Sequence, residues 1–286
     1  LPEEHFDYAA LDEEFAPLVQ AAKVDGTWYG LPTAVRSLAL FYNLDKLQAA
    51  GFDGPPATWD EFVEMAKALT VRQGARVVEV GYGFAPTGQD HHLVREVLVR
   101  QFGGEPYDAE GNVAYDSEAG AAGLKFYTDL QTEYNVGLQG FMDEGQAAFR
   151  AGLAAMTIDG TFRLGAFASN PFEWGVVELP ANAEGVKSNY SSYFANAIGA
   201  TAEGEELEAA QKFLAYISSP EAMEIWLETV GELPARRDVA LTEANLADPI
   251  LAPFLSGLEY AHTTQFYDEA GQRQVAIDMV NRVLLE

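Results

Sequence analysis

The run Gly30-Leu31-Pro32-Thr33-Ala34-Val35-Arg36-Ser37-Leu38-Ala39-Leu40-Phe41-Tyr42-Asn43 carries one charge, Arg36, in an otherwise uncharged and mostly apolar stretch. A guanidinium in such company must reach solvent or meet a partner, because an isolated buried charge is costly. Within the run, Leu38–Tyr42 is predicted as a buried strand. A loop follows, and then Thr58-Trp59-Asp60-Glu61, which has the form of a capping box. There the Thr58 hydroxyl accepts from the Glu61 N–H and the Glu61 carboxylate reaches back to the Thr58 N–H. Helical spacing places Phe62, Met65, Ala66 and Leu69 on one face of the helix over 58–69.

Helix and strand patterns go on alternating along the chain, which predicts α/β layers with largely parallel sheets. Helices are expected over about 10–23, 92–102, 116–132, 141–151, 205–217 and from Pro220 to Gly231, with more helix beyond Pro249. Ser219-Pro220 is a helix start with a serine cap and proline in the first turn, and Gly103-Gly104 and Gly231 suit left-handed ends. Ala121, Leu124 and Tyr127 are predicted as a core stripe. Strands are expected at Val80–Phe84, Leu153–Ile158, Trp174–Glu178 and Ser192–Ala200. Trp59, Trp174 and Trp226 fall within these patterns and are assigned to the core; Trp28 suits either core or cleft.

Composition narrows the function. The formal charge is −27, from 44 acidic against 17 basic residues. Such a field repels phosphate backbones, so no nucleic-acid partner is expected, and anionic lipid surfaces are disfavoured. The chain has no cysteine, which removes disulfides and thiolate chemistry. No GxSxG, Walker A or strand-following GxGxxG is present, so no cofactor is expected. With 44 acids, chance carboxylate pairs abound, and a glycosidase pair stays open on counting alone.

The wording of 30–69, together with 149–167 and with 173–239 ending in Leu233-Pro234-Ala235-Arg236, resembles the extracellular solute-binding proteins of ABC importers. The similarity is strongest to the carbohydrate-binding group that includes maltose-binding protein. It covers nearly the whole chain, in the family's order. It implies an α/β, periplasmic-binding-protein-like fold of two lobes joined by hinge crossings near Thr33–Ser37 and Tyr193–Ala195. The chain begins inside the family's first lobe and stops before its usual last helix, so an incomplete amino-terminal lobe is expected. That lobe would hold 1–34 plus 194–236, and the carboxy-terminal lobe 35–193 plus 237–286. Non-catalytic binding of a sugar or oligosaccharide, a membrane permease as partner, a monomeric state, and a periplasmic or extracellular location with or without a lipid anchor all follow from the resemblance. A polyol, a glycerol phosphate compound, a polyamine or an iron complex are the alternative ligands. A glycoside hydrolase and a non-transport receptor domain are the alternative classes.

Sugars need an aromatic wall for their apolar face and planar polar groups for their hydroxyl rim. Phe162 stands where the family places an aromatic platform, and Asp159 before it suits a helix cap or a hydroxyl acceptor. Arg36 matches a position where relatives carry a ligand-contacting charge, the alternative being an inter-lobe salt bridge; Thr33 is its weaker neighbour. Gln89, Asp90 and His91 align loosely with a ligand-contacting loop, and a solvated capping loop explains them equally. His91-His92 with Asp90 offers too few ligands for a metal site. Tyr193, beside Phe194, lies at the second crossing. Tyr267, supported by Gln265, matches a late stacking position.

Overall fold

The computed structural model describes residues 1–264 and 268–285. A short antiparallel ribbon, β1 (Lys23–Val24) and β2 (Thr27–Trp28), turns at Asp25 and Gly26, both at positive φ. It leads into β3 (Gly30–Asn43), the longest strand and the spine of the molecule. β4 (Val71–Gln73), β5 (Arg76–Tyr82), β6 (Ala154–Gly160), β7 (Trp174–Val177), β8 (Asn189–Ala197), β9 (Leu233–Pro234) and β10 (Ala261–His262) complete the sheet. Its order is β10-β8-β3-β6-β5-β4, with β7 and β9 also paired to β3.

The first half of β3 pairs with β8 and β9, its second half with β6 and β7, all antiparallel. Only β5–β6 and β8–β10 are parallel pairs among the described strands. The expectation of largely parallel sheets is therefore corrected. Helix–strand alternation in the sequence reports crossovers, but the strand at the centre runs against every neighbour it has.

β3 spans more than the predicted Leu38–Tyr42 because it is covered on both faces. Val35, Ala39 and Phe41 enter one core with Phe15, Trp28, Phe149, Phe167 and Phe254. Leu38 and Leu40 enter a second with Trp59, Phe62, Tyr82, Tyr127 and Ile158. A strand buried on both sides reads as a continuous apolar run and loses the alternation that marks its ends.

The capping box forms as read. Glu61 N–H donates to Thr58 Oγ1 at 3.3 Å and Thr58 N–H to Glu61 Oε2 at 3.3 Å, opening the helix Trp59–Leu69. Phe62, Ala66 and Leu69 are buried along it. The helix over 90–101 is π-helical at Leu93–Leu98, and Gly103 ends it at positive φ.

Three local expectations change. The helix over 10–23 is two pieces, Tyr8–Glu14 and a 3₁₀ turn at Pro17–Ala22, because Pro17 lacks the N–H that would continue the first. On Glu118–Thr132 Ala121 is exposed, and Gly120 and Gly123 are buried instead. A Cβ on Gly123 would lie 3.1 Å from that of Leu98, so small residues set this helix contact. Trp226 is 45% exposed on the helix Pro220–Val230, where Met223 is the buried residue, whereas Trp28 and Trp59 are buried.

Candidate functional site

The two expected crossings are neighbouring strands in register: Val35 faces Tyr193, Ala34 faces Phe194 and Arg36 faces Ser192. The pairing slips between Pro32 and Ala34, a bulge where a strand bends readily. Alternation puts Arg36 and Leu38 of β3 and Ser192 and Phe194 of β8 on one sheet face. The opposite face carries Ser37, whose hydroxyl donates to the Phe254 carbonyl at 2.8 Å. On the first face these residues line a cavity of about 340 Å³, closed by Gln89, His92, Phe162, Tyr190, Tyr193, Glu269 and Arg273.

Arg36 organises this cavity. Its guanidinium carbon lies 4.7 Å from the Phe162 ring centre and 4.5 Å from that of Phe194, so two rings flank one cation. Arg36 Nε donates to Glu232 Oε1 at 3.1 Å, and Nη2 donates to the same oxygen. Glu232 is 5% exposed. Ion pair and cavity wall therefore coexist in one side chain, where the sequence offered them as alternatives.

Phe162 reaches this position because the chain turns tightly at the end of β6. Thr161–Arg163 forms a 3₁₀ turn that folds the ring back over Gly160, where an added Cβ would lie 2.4 Å from Phe162 Cε1. Asp159 does not face the cavity. It is buried, its Oδ1 accepts from Gly160 N–H and its Oδ2 from Arg163 Nε, each at 2.9 Å. Burial raises its pKa, with Arg163 opposing. The expected helix cap is corrected, because Gly160 holds that position, and Asp159 lies outside the cavity lining. It fixes the turn that carries Phe162.

The loop before the helix over 90–101 divides its residues. Gln89 borders the cavity. Asp90 is 1% exposed and accepts from Tyr82 Oη at 2.7 Å, Tyr127 Oη at 2.6 Å and the Ala85 N–H at 2.8 Å. Burial raises its carboxyl to about 6, against the pull of these three donors. Asp90 lies outside the cavity lining and ties the loop to the aromatic core. His91 is 2% exposed, lies outside the cavity lining, and burial first, then Arg95, lowers its pKa to about 3. His92 borders the cavity and stacks on Tyr190 with ring centres 3.7 Å apart. Burial, with His91 and Arg95 adding, lowers its pKa well below the usual histidine value, so this wall is neutral.

Tyr193 borders the cavity while packing against the core that holds Val35. Thr33 stands at the bulge, outside the cavity lining, and accepts from Asn196 Nδ2 at 3.4 Å. Gln265 and Tyr267 lie outside the described residues. Among the described residues no group of three or more His, Cys, Asp or Glu is placed to hold a metal.

Tyr190, Ser192, Glu232, Glu269 and Arg273 complete the surroundings without having been singled out in sequence. Ser192 and Phe194 were legible as one face of a strand. Glu232 comes from 196 residues away, and only the demand of Arg36 for a partner hinted at it. Two larger grooves, about 730 Å³ beside Trp59 and Phe102 and about 610 Å³ beside Pro234 and Leu255, lie elsewhere. Neither includes Arg36 or Phe162; the first joins Trp59, Phe102 and Phe126 with Arg100 and the amides of Gln101 and Asn182, but it lies away from the crossing strands.

The profile of the bacterial extracellular solute-binding protein family matches residues 2–253. The chain belongs to this family. This solute-binding protein is 24% identical over 256 residues to a Brucella abortus binding protein, covering 82% of the chain and 60% of that relative. It is 24% identical over 244 residues to a maltooligosaccharide ABC transporter solute-binding lipoprotein of Streptococcus pneumoniae, covering 81% of the chain and 54% of the lipoprotein. An arabinooligosaccharide-binding protein of Halalkalibacterium halodurans is 34% identical over 107 residues, 37% of the chain and 22% of that protein. The chain thus spans little more than half the length of its longer-matching relatives.

Solved structures establish the fold. The maltose-bound MalE3 of T. maritima superposes with a TM-score of 0.77 at 24% identity, covering 97% of this chain and 77% of that one. The Mycobacterium tuberculosis UgpB in complex with glycerophosphocholine superposes with a TM-score of 0.81 at 21% identity, covering 99% and 73%. The solute-binding protein is therefore α/β and periplasmic-binding-protein-like, with its crossing strands paired side by side.

Proposed function

We propose that this protein binds a neutral saccharide in the cavity at the crossing strands and presents it to the membrane permease of an ABC importer. The reading rests on the joining of Phe162, Phe194 and Arg36 in one wall, with Gln89, Ser192 and Tyr193 beside them. Rings supply faces for the apolar side of a pyranose, and amide, hydroxyl and guanidinium groups match its rim. A volume of about 340 Å³ is at the small end of ordinary ligand sites, which favours a short saccharide over a long one. Relatives named for maltooligosaccharide and arabinooligosaccharide binding support the class.

In this reading 1–34 with 194–236 form one lobe and 35–193 with 237–286 the other, hinged at Thr33–Ser37 and Tyr193–Ala195. Phe162 then belongs to one lobe and Phe194 to the other, so a ligand lodged between them favours the closed state. No bond is made or broken. The protein works as a monomer on the outer side of the membrane.

A phosphate-bearing ligand is the second reading. Two arginines, Arg36 and Arg273, border the cavity, and a structural neighbour is complexed with glycerophosphocholine. Calorimetric titration with maltose, maltotriose, an arabinooligosaccharide, glycerophosphocholine and spermidine separates the readings. Saturable binding of a neutral saccharide is expected; tight binding of glycerophosphocholine alone overturns the proposal.

A further inference from the structure

We propose that Glu232 sets the charge preference of the cleft: by holding Arg36, it makes the site accept neutral polyhydroxyl ligands and reject phosphate-bearing ones. The inference rests on the reading that this cavity is the ligand site. Arg36 and Arg273 both border the cavity, and each is bound to a carboxylate. The two pairs differ in environment. Glu269, which accepts from Arg273 Nε at 3.0 Å, is exposed, so solvent screens that pair. Glu232 is 5% exposed and held against a guanidinium flanked by two rings, where its charge acts at full strength.

The geometry also narrows the means by which arginine grips an oxyanion. A guanidinium takes phosphate or carboxylate through two parallel N–H donors on one edge of its fork. The Nε–Nη2 edge of Arg36 is committed to Glu232 Oε1. Nη1 makes no hydrogen bond among the described residues, and with the second Nη2 N–H it leaves the end-on edge able to donate to a neutral hydroxyl or ring oxygen. An incoming phosphate would find one edge spent and, at the edge that remains, a guanidinium whose charge the buried carboxylate already offsets, which is rejection by a like charge.

Glu232→Gln keeps the shape and one acceptor but removes the charge. The test titrates wild type, Glu232→Gln, Glu232→Asp and the double variant Arg36→Gln/Glu232→Gln with glycerol 3-phosphate and, separately, with the neutral saccharides. Melting temperatures confirm that each is folded. Glu232→Gln is expected to bind glycerol 3-phosphate about tenfold or more tightly than wild type, and to lose the gain as salt is raised. Glu232→Asp should restore rejection, and the double variant should abolish the gain.

A folded Glu232→Gln with no gain, a gain that survives loss of Arg36, or a wild type that already binds glycerol 3-phosphate as tightly as Glu232→Gln overturns the inference. Failure of every neutral saccharide on wild type removes the saccharide reading instead. The anion gain and its dependence on Arg36 are read independently of it.

Discussion

Phe162 shows how neighbouring residues set the position of a side chain. Asp159 pins the turn, Gly160 leaves room for the ring, and Arg36 lies against it. Phe162→Ala should weaken saccharide binding by roughly 1–3 kcal/mol with little loss of stability, measured by calorimetry and thermal melting. Gly160→Ala should lower affinity by displacing the same ring without removing it; unaltered affinity in both variants would take Phe162 out of the site. Asp90 is the residue-scale counterpart in the core. Its folded pKa of about 6 lies above the ordinary carboxylate value of 3.8, so between the two the folded state holds a proton that the unfolded state has released. Stability credited to Asp90 is therefore present below about pH 4 and declines as pH rises towards 6, by about 3 kcal/mol at most. Asp90→Asn does not titrate: its oxygen can accept from Tyr127 and the Ala85 N–H, while its amide nitrogen donates to Tyr82 Oη. Wild type should lose stability relative to Asp90→Asn across this window, as denaturant melts at several pH values would record.

At the scale of elements, legibility followed locality. The helix Trp59–Leu69 was readable to its first residue because the capping box lies within four positions, and Thr58→Ala should cost about 1 kcal/mol in chemical denaturation. β3 was readable only in its second half, Leu38–Tyr42, because two cores hide its alternation and partners such as Asn189 and Glu232 come from more than 150 residues away. Phe41, fully buried against Phe149, Phe167, Trp174 and Phe254, is its most heavily invested side chain. Phe41→Ala should destabilise by about 3–5 kcal/mol. The site divided in the same way. Arg36 stood out as a charge in an apolar run, and Phe162 as the position where the family resemblance implies an aromatic platform. Asp90 and His91 looked polar and loop-borne, and nothing near them in sequence announced that Tyr82 and Tyr127 would draw the carboxylate inward. Register across β3 and β8, which no local pattern encodes, is what set Ser192 and Phe194 beside Arg36.

For the molecule as a whole, a formal charge of −27 and a cavity whose two bordering arginines are each paired make attraction of anions an unsuitable way to capture ligand. Saccharide affinity should change by less than about twofold between low and high salt, as repeated calorimetry would show, because an uncharged guest brings no field to screen. The continuous course of β3 has one more consequence. The same fourteen residues contribute to both cores, so neither can melt and leave the other's central strand intact. Heating should give a single endotherm whose calorimetric and van't Hoff enthalpies agree. A ligand gripped at the hinge would then delay the collapse of the entire molecule rather than of the half it touches.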